Sequence, residues 1–429
     1  MKKPQLDFTK QRIQIALDFG GLTPPHILGE CMWVVSERRA AFEWSKQAIS
    51  SGLNVSPFKL PLALGVHFAE WTPFDGLHGL FSDSIPDGFG LRLMNKGLAS
   101  AGYALGEVSP LHRLAWVGSR GVGALTYTPI IDGGSAQDLM DISVVAMHAA
   151  NAQVEAFAEI PRSVIRAGGS ALGARPKFWA AISPERQRVI LSDAANTSEG
   201  FEACLLKFAP AKGDEFEPYF EAACLKLAAE HGVNAARGEL LLHASGAALA
   251  VHRFDRGPDG ARLHTQSVAA MLGLDFRNAN MDYTAFAQLV KQLAGEAELE
   301  VLYRQVCFNV AMSMRDDHTK NFAFCMNSAG TWHLSPAFDL CPSVGLGYTQ
   351  EHTMTLNGKG TNISRDDLFT FADSLGLSQQ LASECLDQAR AAASKFEKEA
   401  LSLGAPKSPT QTWVSRFKRI DKELAQVMV

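Results

Sequence analysis

A chain of 429 residues with a hydrophobic share of 47% has room for two or three domains with sizeable cores. Its formal net charge of −5 excludes a protein that coats nucleic acid by its own basic surface, though not one that reaches DNA through a partner. The seven cysteines are scattered, odd in number and without a CxxC pair, which excludes a disulfide framework and points to a reducing, cytoplasmic setting.

The start, Met1-Lys-Lys-Pro, has no apolar stretch behind its lysines, so no signal peptide is expected, and no apolar run is long enough to span a membrane. Residues 1–25 read as a polar leader of partial helicity. Strands are predicted at 29–35 and 41–44, which are rich in aromatic and branched residues, and a third short one at 60–64. Residues 81–94 carry the turn signal Pro86-Asp87-Gly88 and open a helix that ends near Gly97. Gly118, Gly121 and Gly123 precede a strand at 125–128; glycines so spaced favour tight backbone packing over phosphate binding. Residues 130–135 read as a linker and a subdomain boundary.

Residues 166–177, Arg-Ala-Gly-Gly-Ser-Ala-Leu-Gly-Ala-Arg-Pro-Lys, lead into strands at 178–182 and 188–191. Backbone N–H groups of such a loop can approach phosphates closely. It is not a Walker A loop, because no Gly-Lys-Ser/Thr follows, and it is not a clean GxGxxG. Lys207 stands inside the apolar run 204–210, where a lysine without a partner is costly to bury and ordinarily snorkels from an edge strand. Fourteen residues on, Glu221 opens an amphipathic helix. Strand lysine followed by helix glutamate is the order of the ion pair that orients ATP phosphates in kinases. Residues 240–244 and 247–255 form a predicted hairpin, and the polar break at 255–260 marks a hinge whose backbone, near 252–254, would meet an adenine edge.

Beyond residue 265 the pattern is mostly helical, at 267–272, 283–294, 299–312, 365–375, 381–401 and 413–429, with 345–360 expected as a surface loop. Between two of these helices lies Ser313-Met-Arg-Asp-Asp-His-Thr-Lys-Asn321, followed by a predicted hairpin and Phe338-Asp339. The spacing from Asp316 to Asn321 equals the Asp-to-Asn spacing of a kinase catalytic loop. That chemistry needs a carboxylate to receive the hydroxyl proton and an amide oxygen to hold Mg²⁺ beside it, with a second carboxylate, here Asp339, reaching the same metal. Taken alone, such a pair is ordinarily a solvated polar loop. A metal-dependent phosphohydrolase using Asp316, Asp317 and His318 is a second reading, although the twelve histidines form no HxH or HxxxH pair.

Several stretches in this order resemble the HipA family, the serine/threonine kinase toxins of bacterial type II toxin–antitoxin systems. They are residues 81–90 (Phe-Ser-Asp-Ser-Ile-Pro-Asp-Gly-Phe-Gly), 117–124, 170–177, 205–208, 251–256, 316–321 and 334–339. The resemblance implies an α+β, two-lobed, protein-kinase-like fold. An N-terminal β-rich subdomain (26–135) would precede a kinase N-lobe with the glycine-rich loop (136–256) and an all-helical C-terminal lobe with the catalytic loop (257–429). It implies ATP and Mg²⁺ as cofactors. Asp316 would be the catalytic base, and Asn321 and Asp339 the metal ligands. Lys207 would hold phosphates and pair with Glu221. Leu172, Gly173, Ala174, Arg175, Pro176 and Lys177 would lie over the phosphates. His252, Arg253 and Phe254 would supply the hinge, with His318, Lys320 and Phe338 also near the nucleotide. Ser170 matches the serine that the family autophosphorylates, a modification that would expel the loop by charge.

The implied partners are a helix-turn-helix antitoxin, DNA through that antitoxin, and a protein substrate, for which the family suggests an aminoacyl-tRNA synthetase. His252 replaces a glutamate often found at the hinge, and residues up to Pro25 have no counterpart. A small-molecule kinase with the same lobes and a catalytically silent repressor partner are the alternatives.

Overall fold

The computed structural model describes residues 12–21, 23–131, 138–154, 160–171, 173, 175–191, 200–210, 215–257, 260–278, 281–345 and 348–426. Leu172 and Ala174, both expected over the phosphates, lie outside the described residues, as does most of the expected linker at 130–135. The chain divides into two compact units, the first of residues 1–213, 241–274 and 325–331, the second of 214–240, 275–324 and 332–429.

The first unit holds two sheets. One is antiparallel, with strands β1 (Arg12–Leu17), β2 (His26–Val34), β3 (Arg39–Trp44), β4 (Val66–Phe68) and β5 (Leu125–Thr128) in the order β4-β3-β2-β1-β5. The expected leader of partial helicity is therefore corrected over residues 12–17. Arg-Ile-Gln-Ile-Ala-Leu alternates with period two, which puts Ile13, Ile15 and Leu17 inward, and all three are buried. The third strand expected at 60–64 is likewise displaced to β4.

The other sheet contains β6 (Leu139–Asp141), β7 (Lys177–Ile182), β8 (Arg188–Ile190), β9 (Glu202–Phe208), β10 (Gly238–His243) and β11 (Gly246–His252), in the order β10-β11-β9-β7-β8-β6. Every residue of β7 is buried, so that strand is covered on both faces. Phe178 on β7 meets Phe89 edge-on at 5.7 Å and Phe208 at 5.9 Å. Phe89 belongs to the helix Gly88–Ser100, which lies backbone-close to the glycine-rich stretch: a Cβ added at Gly90 would stand 2.4 Å from the Ala171 carbonyl oxygen.

The glycine turn at 118–123 serves packing, as its spacing suggested. The Gly123 N–H donates to Asp255 at 2.7 Å, and the Gly121 carbonyl accepts from Arg253 and Arg256. Burial acts to raise the Asp255 carboxyl, but the guanidiniums of Arg253 and Arg256 outweigh it and hold the group well below the usual carboxylate range.

The second unit is built mainly of helices. Among the described residues, Gln379–Ser402 packs against Ala297–Ala311, Glu217–Glu230 and Lys407–Ala425. Phe396 sits at this junction, edge-on to Phe220 at 5.1 Å and to Phe417 at 5.2 Å. Helix starts follow capping chemistry: Asp282 accepts from the Thr284 N–H ahead of Tyr283–Ala294, and Ser364 and Asp367 cap Arg365–Ser374 reciprocally. The surface loop expected at 345–360 is corrected in part, because His352, Thr353, Met354 and Leu356 are buried. Their donors are needed inside, as the site shows.

Candidate active site

The helix Ala297–Ala311 runs out at Met312, and Ser313 turns the chain with a left-handed φ of 52°. Asp316 and Asn321 follow. The Asn321 side-chain amide donates to the Asp316 carbonyl at 2.8 Å, and its backbone N–H donates to the His318 carbonyl at 2.8 Å. The loop is held from a second segment by Ser343. Its hydroxyl oxygen accepts from the N–H groups of Arg315 at 3.1 Å and Asp316 at 3.0 Å, while its own N–H donates to the Ser313 carbonyl at 3.1 Å. Ser343 follows Asp339, a non-glycine residue with φ of 56°, and held strain of that kind clusters at functional sites.

These elements frame one cleft within the second unit. Its lining includes Asp316, Asn321, Phe338 and Asp339, four of the expected site residues, together with Gln305, Asn309 and Asp317. Gln305, Asn309 and Ser343 were not singled out from sequence. Gln305 and Asn309 carry a signal that was there to be used, since two amides four residues apart in an apolar helix share one face. Ser343 has no local signal.

Asp317 is fully engaged in the fold. One carboxylate oxygen accepts from the Tyr283 hydroxyl at 2.7 Å and from His352 Nδ1 at 2.8 Å. The other accepts from the N–H groups of Thr353 at 2.7 Å and Met354 at 3.3 Å. The phosphohydrolase reading required this carboxylate as a metal ligand, and four hydrogen bonds already saturate it. Among the described residues no group of three or more His, Cys, Asp or Glu side chains could hold a metal ion by itself.

His318 is buried against Phe276, with ring centroids 5.0 Å apart, and its Nε2 lies 3.6 Å from Asp316 Oδ1, beyond hydrogen-bond length. Burial lowers its pKa, with the charge of Asp339 opposing, so the imidazole is neutral at neutral pH. Lys320 Nζ stands 4.9 Å from the Phe276 ring centre.

The remaining expected residues lie elsewhere. Glu221 is buried in the helix Glu217–Glu230 of the second unit. In the first unit, Lys177 on β7 and Lys207 on β9 are directly opposed partners, so their side chains leave the sheet on one face. Lys177 reaches back to the loop: a Cβ on Gly173, whose φ is 107°, would come within 2.2 Å of its Nζ. The Gly173 N–H donates to Asp87 at 2.6 Å. Arg175 is exposed and Pro176 is buried. Ser170 is buried, its hydroxyl donating to the Arg166 carbonyl at 3.2 Å and its carbonyl accepting from Trp179 Nε1 at 2.9 Å. At the expected hinge, the Arg253 N–H donates to the Ala203 carbonyl, and its side chain turns inward onto Asp255 and the Trp179 ring, 4.0 Å away. His252 Nδ1 lies 3.3 Å from Glu202. Phe254 is half-buried.

No helix among the described residues is long and apolar enough to cross a membrane. The chain is 29% identical over 203 residues to a protein of Sinorhizobium fredii (strain NBRC 101917 / NGR234) named "Putative kinase Y4dM", an alignment covering 44% of this chain and 47% of that protein. The chain thus spans about half the length of the curated relative it matches. Its fold is similar to that of a chain in the complex of Shewanella oneidensis MR-1 toxin–antitoxin proteins HipA and HipB with operator DNA. The TM-score is 0.65 at 18% identity, over 95% of both chains. Residues 29–128 match the HipA N-terminal domain and residues 169–396, more than half of the chain, match the HipA-like C-terminal domain. The chain belongs to the HipA family.

Proposed function

We propose that this protein is a serine/threonine protein kinase of a type II toxin–antitoxin module. One observation carries the reading: Asp316, Asn321 and Asp339 line a single cleft. Bound ATP with its Mg²⁺ supplies the phosphoryl group to be transferred and the neutralisation of its charge. The donors suit a hard cation, since Asn321 and Asp339 offer oxygen and the Asn321 amide has its donor end engaged at the Asp316 carbonyl. Asp316 takes the proton of the attacking serine or threonine hydroxyl, held in place by the two N–H bonds to Ser343.

Lys177 and Lys207 stand directly opposite each other across the β7–β9 pair, so two cationic side chains share one face of the sheet, a placement that suits a polyphosphate. In the family's pattern Lys207 would bind phosphate, and Gly173, Arg175, Pro176 and Lys177 belong to the loop that would lie over it. Backbone at His252, Arg253 and Phe254 meets the adenine, which leaves the Arg253 side chain to its buried ion pair. His318, Lys320 and Phe338 complete the nucleotide site.

Phosphate transfer to Ser170 would put about two negative charges into a buried position and force the loop out. A helix-turn-helix antitoxin is the partner, with DNA reached through it, and the substrate is a protein hydroxyl, in the family's pattern that of an aminoacyl-tRNA synthetase. The test is transfer of radiolabelled γ-phosphate by the purified protein beside Asp316→Asn and Ser170→Ala. Label on the wild type that is lost in the first and strongly reduced in the second supports the reading. No label on protein whose Ser170 is unphosphorylated by mass spectrometry, with ATP binding intact, sinks it.

A further inference from the structure

Asn309 lines the cleft and takes no part in the roles given so far. It is 2% exposed. A relay sets its orientation. The Tyr283 hydroxyl donates its one proton to Asp317 at 2.7 Å, so towards Asn309, 3.2 Å away, it can only accept. The amide therefore turns its Nδ2 to Tyr283 and its Oδ1 to the other side. That oxygen is buried and receives no hydrogen bond from the described residues. A buried acceptor left without a donor is costly, so the position makes sense only with a donor in the cleft. Three other residues that line the same cleft, Asp316, Asn321 and Asp339, present oxygens suited to a cation. A Mg²⁺ ion held by one or two protein groups keeps several of its waters, and those waters are donors.

We propose that Asn309 is an outer-sphere ligand of the divalent cation, its Oδ1 accepting a hydrogen bond from a water of the ion's hydration shell. The inference rests on the reading of the cleft as a nucleotide–metal site and deepens it. Asn309 is a positioning residue: it orients the hydrated ion, and Tyr283 orients Asn309.

The test is direct cation binding, read without turnover. Mn²⁺ is titrated into the full chain with a non-hydrolysable ATP analogue, and free Mn²⁺ is followed by its electron paramagnetic resonance signal. The proteins are wild type, Asn309→Leu, Tyr283→Phe and the double variant Asn309→Asp/Tyr283→Phe, with Asp339→Asn as reference. Outer-shell partners typically contribute about tenfold or more to metal affinity, so Asn309→Leu is expected to weaken Mn²⁺ by about that factor. Tyr283→Phe removes the group that orients the amide but leaves the amide oxygen in the cleft, so it is expected to lose clearly less Mn²⁺ affinity than Asn309→Leu. Asn309→Asp keeps an oxygen and adds charge but loses the donor to Tyr283, so it is read in the Tyr283→Phe background, where it is expected to bind Mn²⁺ at least as tightly as Tyr283→Phe alone.

Equal losses in Asn309→Leu and Tyr283→Phe would mean that Asn309 only supports the relay, and would overturn the proposal. So would weaker binding by the double variant Asn309→Asp/Tyr283→Phe than by Tyr283→Phe alone, a result that decides the matter even where the leucine variant does not fold. Loss in Asp339→Asn with none in Asn309→Leu defeats this inference alone. No loss in either variant defeats the metal-site reading together with it.

Discussion

The side-chain amide of Asn321 donates to the backbone carbonyl of Asp316 across 2.8 Å, closing the loop that carries both residues. One bond sets two things, the curvature that presents Asp316 and the direction in which the Asn321 oxygen points. Asn321→Leu removes both. Phosphoryl transfer to Ser170 is expected to fall by about a hundredfold or more, the scale on which a preorganised polar group at a reacting centre acts. Initial-rate measurement with labelled ATP checks this, and a rate within threefold of wild type would remove Asn321 from the site.

Ser343 gives one hydroxyl oxygen to two consecutive N–H groups, those of Arg315 and Asp316. Each such bond contributes on the order of 1 kcal/mol, so Ser343→Ala loosens the base by about that amount or twice it, roughly a tenfold fall in kcat. The KM for ATP is expected to stay put, because the bonds fix Asp316 and not the nucleotide. Ser343→Thr retains the oxygen and should restore most of the rate. A change in KM with kcat unaltered would contradict this assignment.

Tyr283 donates to a carboxylate that is 1% exposed. Removing a hydrogen bond to a charged, buried group costs about 1.5–3 kcal/mol. Tyr283→Phe is expected to lower stability in the second unit by that amount, seen in urea unfolding as a lower midpoint at unchanged slope. An unshifted midpoint would show that the residues 352–354 hold Asp317 without help.

Asp255 sits between Arg253 and Arg256, the three side chains being 4%, 2% and 3% exposed. Asp255→Asn leaves two buried guanidiniums short of a countercharge, a change that costs about 3–5 kcal/mol. The acid limb follows in sign. The folded carboxyl lies below its unfolded value, so its stabilisation is complete above about pH 3.9 and is lost as pH falls from there through the lower folded value. Urea unfolding of wild type and variant at neutral pH and near pH 3 checks this: the gap between them should narrow in acid. A gap that widens would reverse the assignment.

Much of this protein was legible from local pattern. The runs at β7, β9 and β11 were read as strands because apolar and branched residues cluster there, and the helix Tyr283–Ala294 was read to its residue bounds. The motif spacing from Asp316 to Asn321 spans one short loop, so sequence distance and spatial distance nearly coincide. Other features escaped because their cause is distant. Residues 12–17 look like a polar leader until β2 and β5 pair on either side of them. Residues 352–356 look like surface until the carboxylate of Asp317, 35 positions away from His352, draws their donors inward.

Asp316 and Asp317 show where the division falls. The sequence by itself showed a carboxylate, an amide and a second carboxylate in the order and spacing that a kinase catalytic loop uses. The spacing pointed to Asp316, but it could not show how the neighbouring Asp317 is used by the fold. Tertiary structure decided that. The Asp316 side chain is 37% exposed, while that of Asp317 is 1% exposed under donors brought from Tyr283, His352, Thr353 and Met354. The physical reason is that a carboxylate can enter the interior only where several donors converge on it, and that convergence is a property of the folded chain and not of any stretch of it.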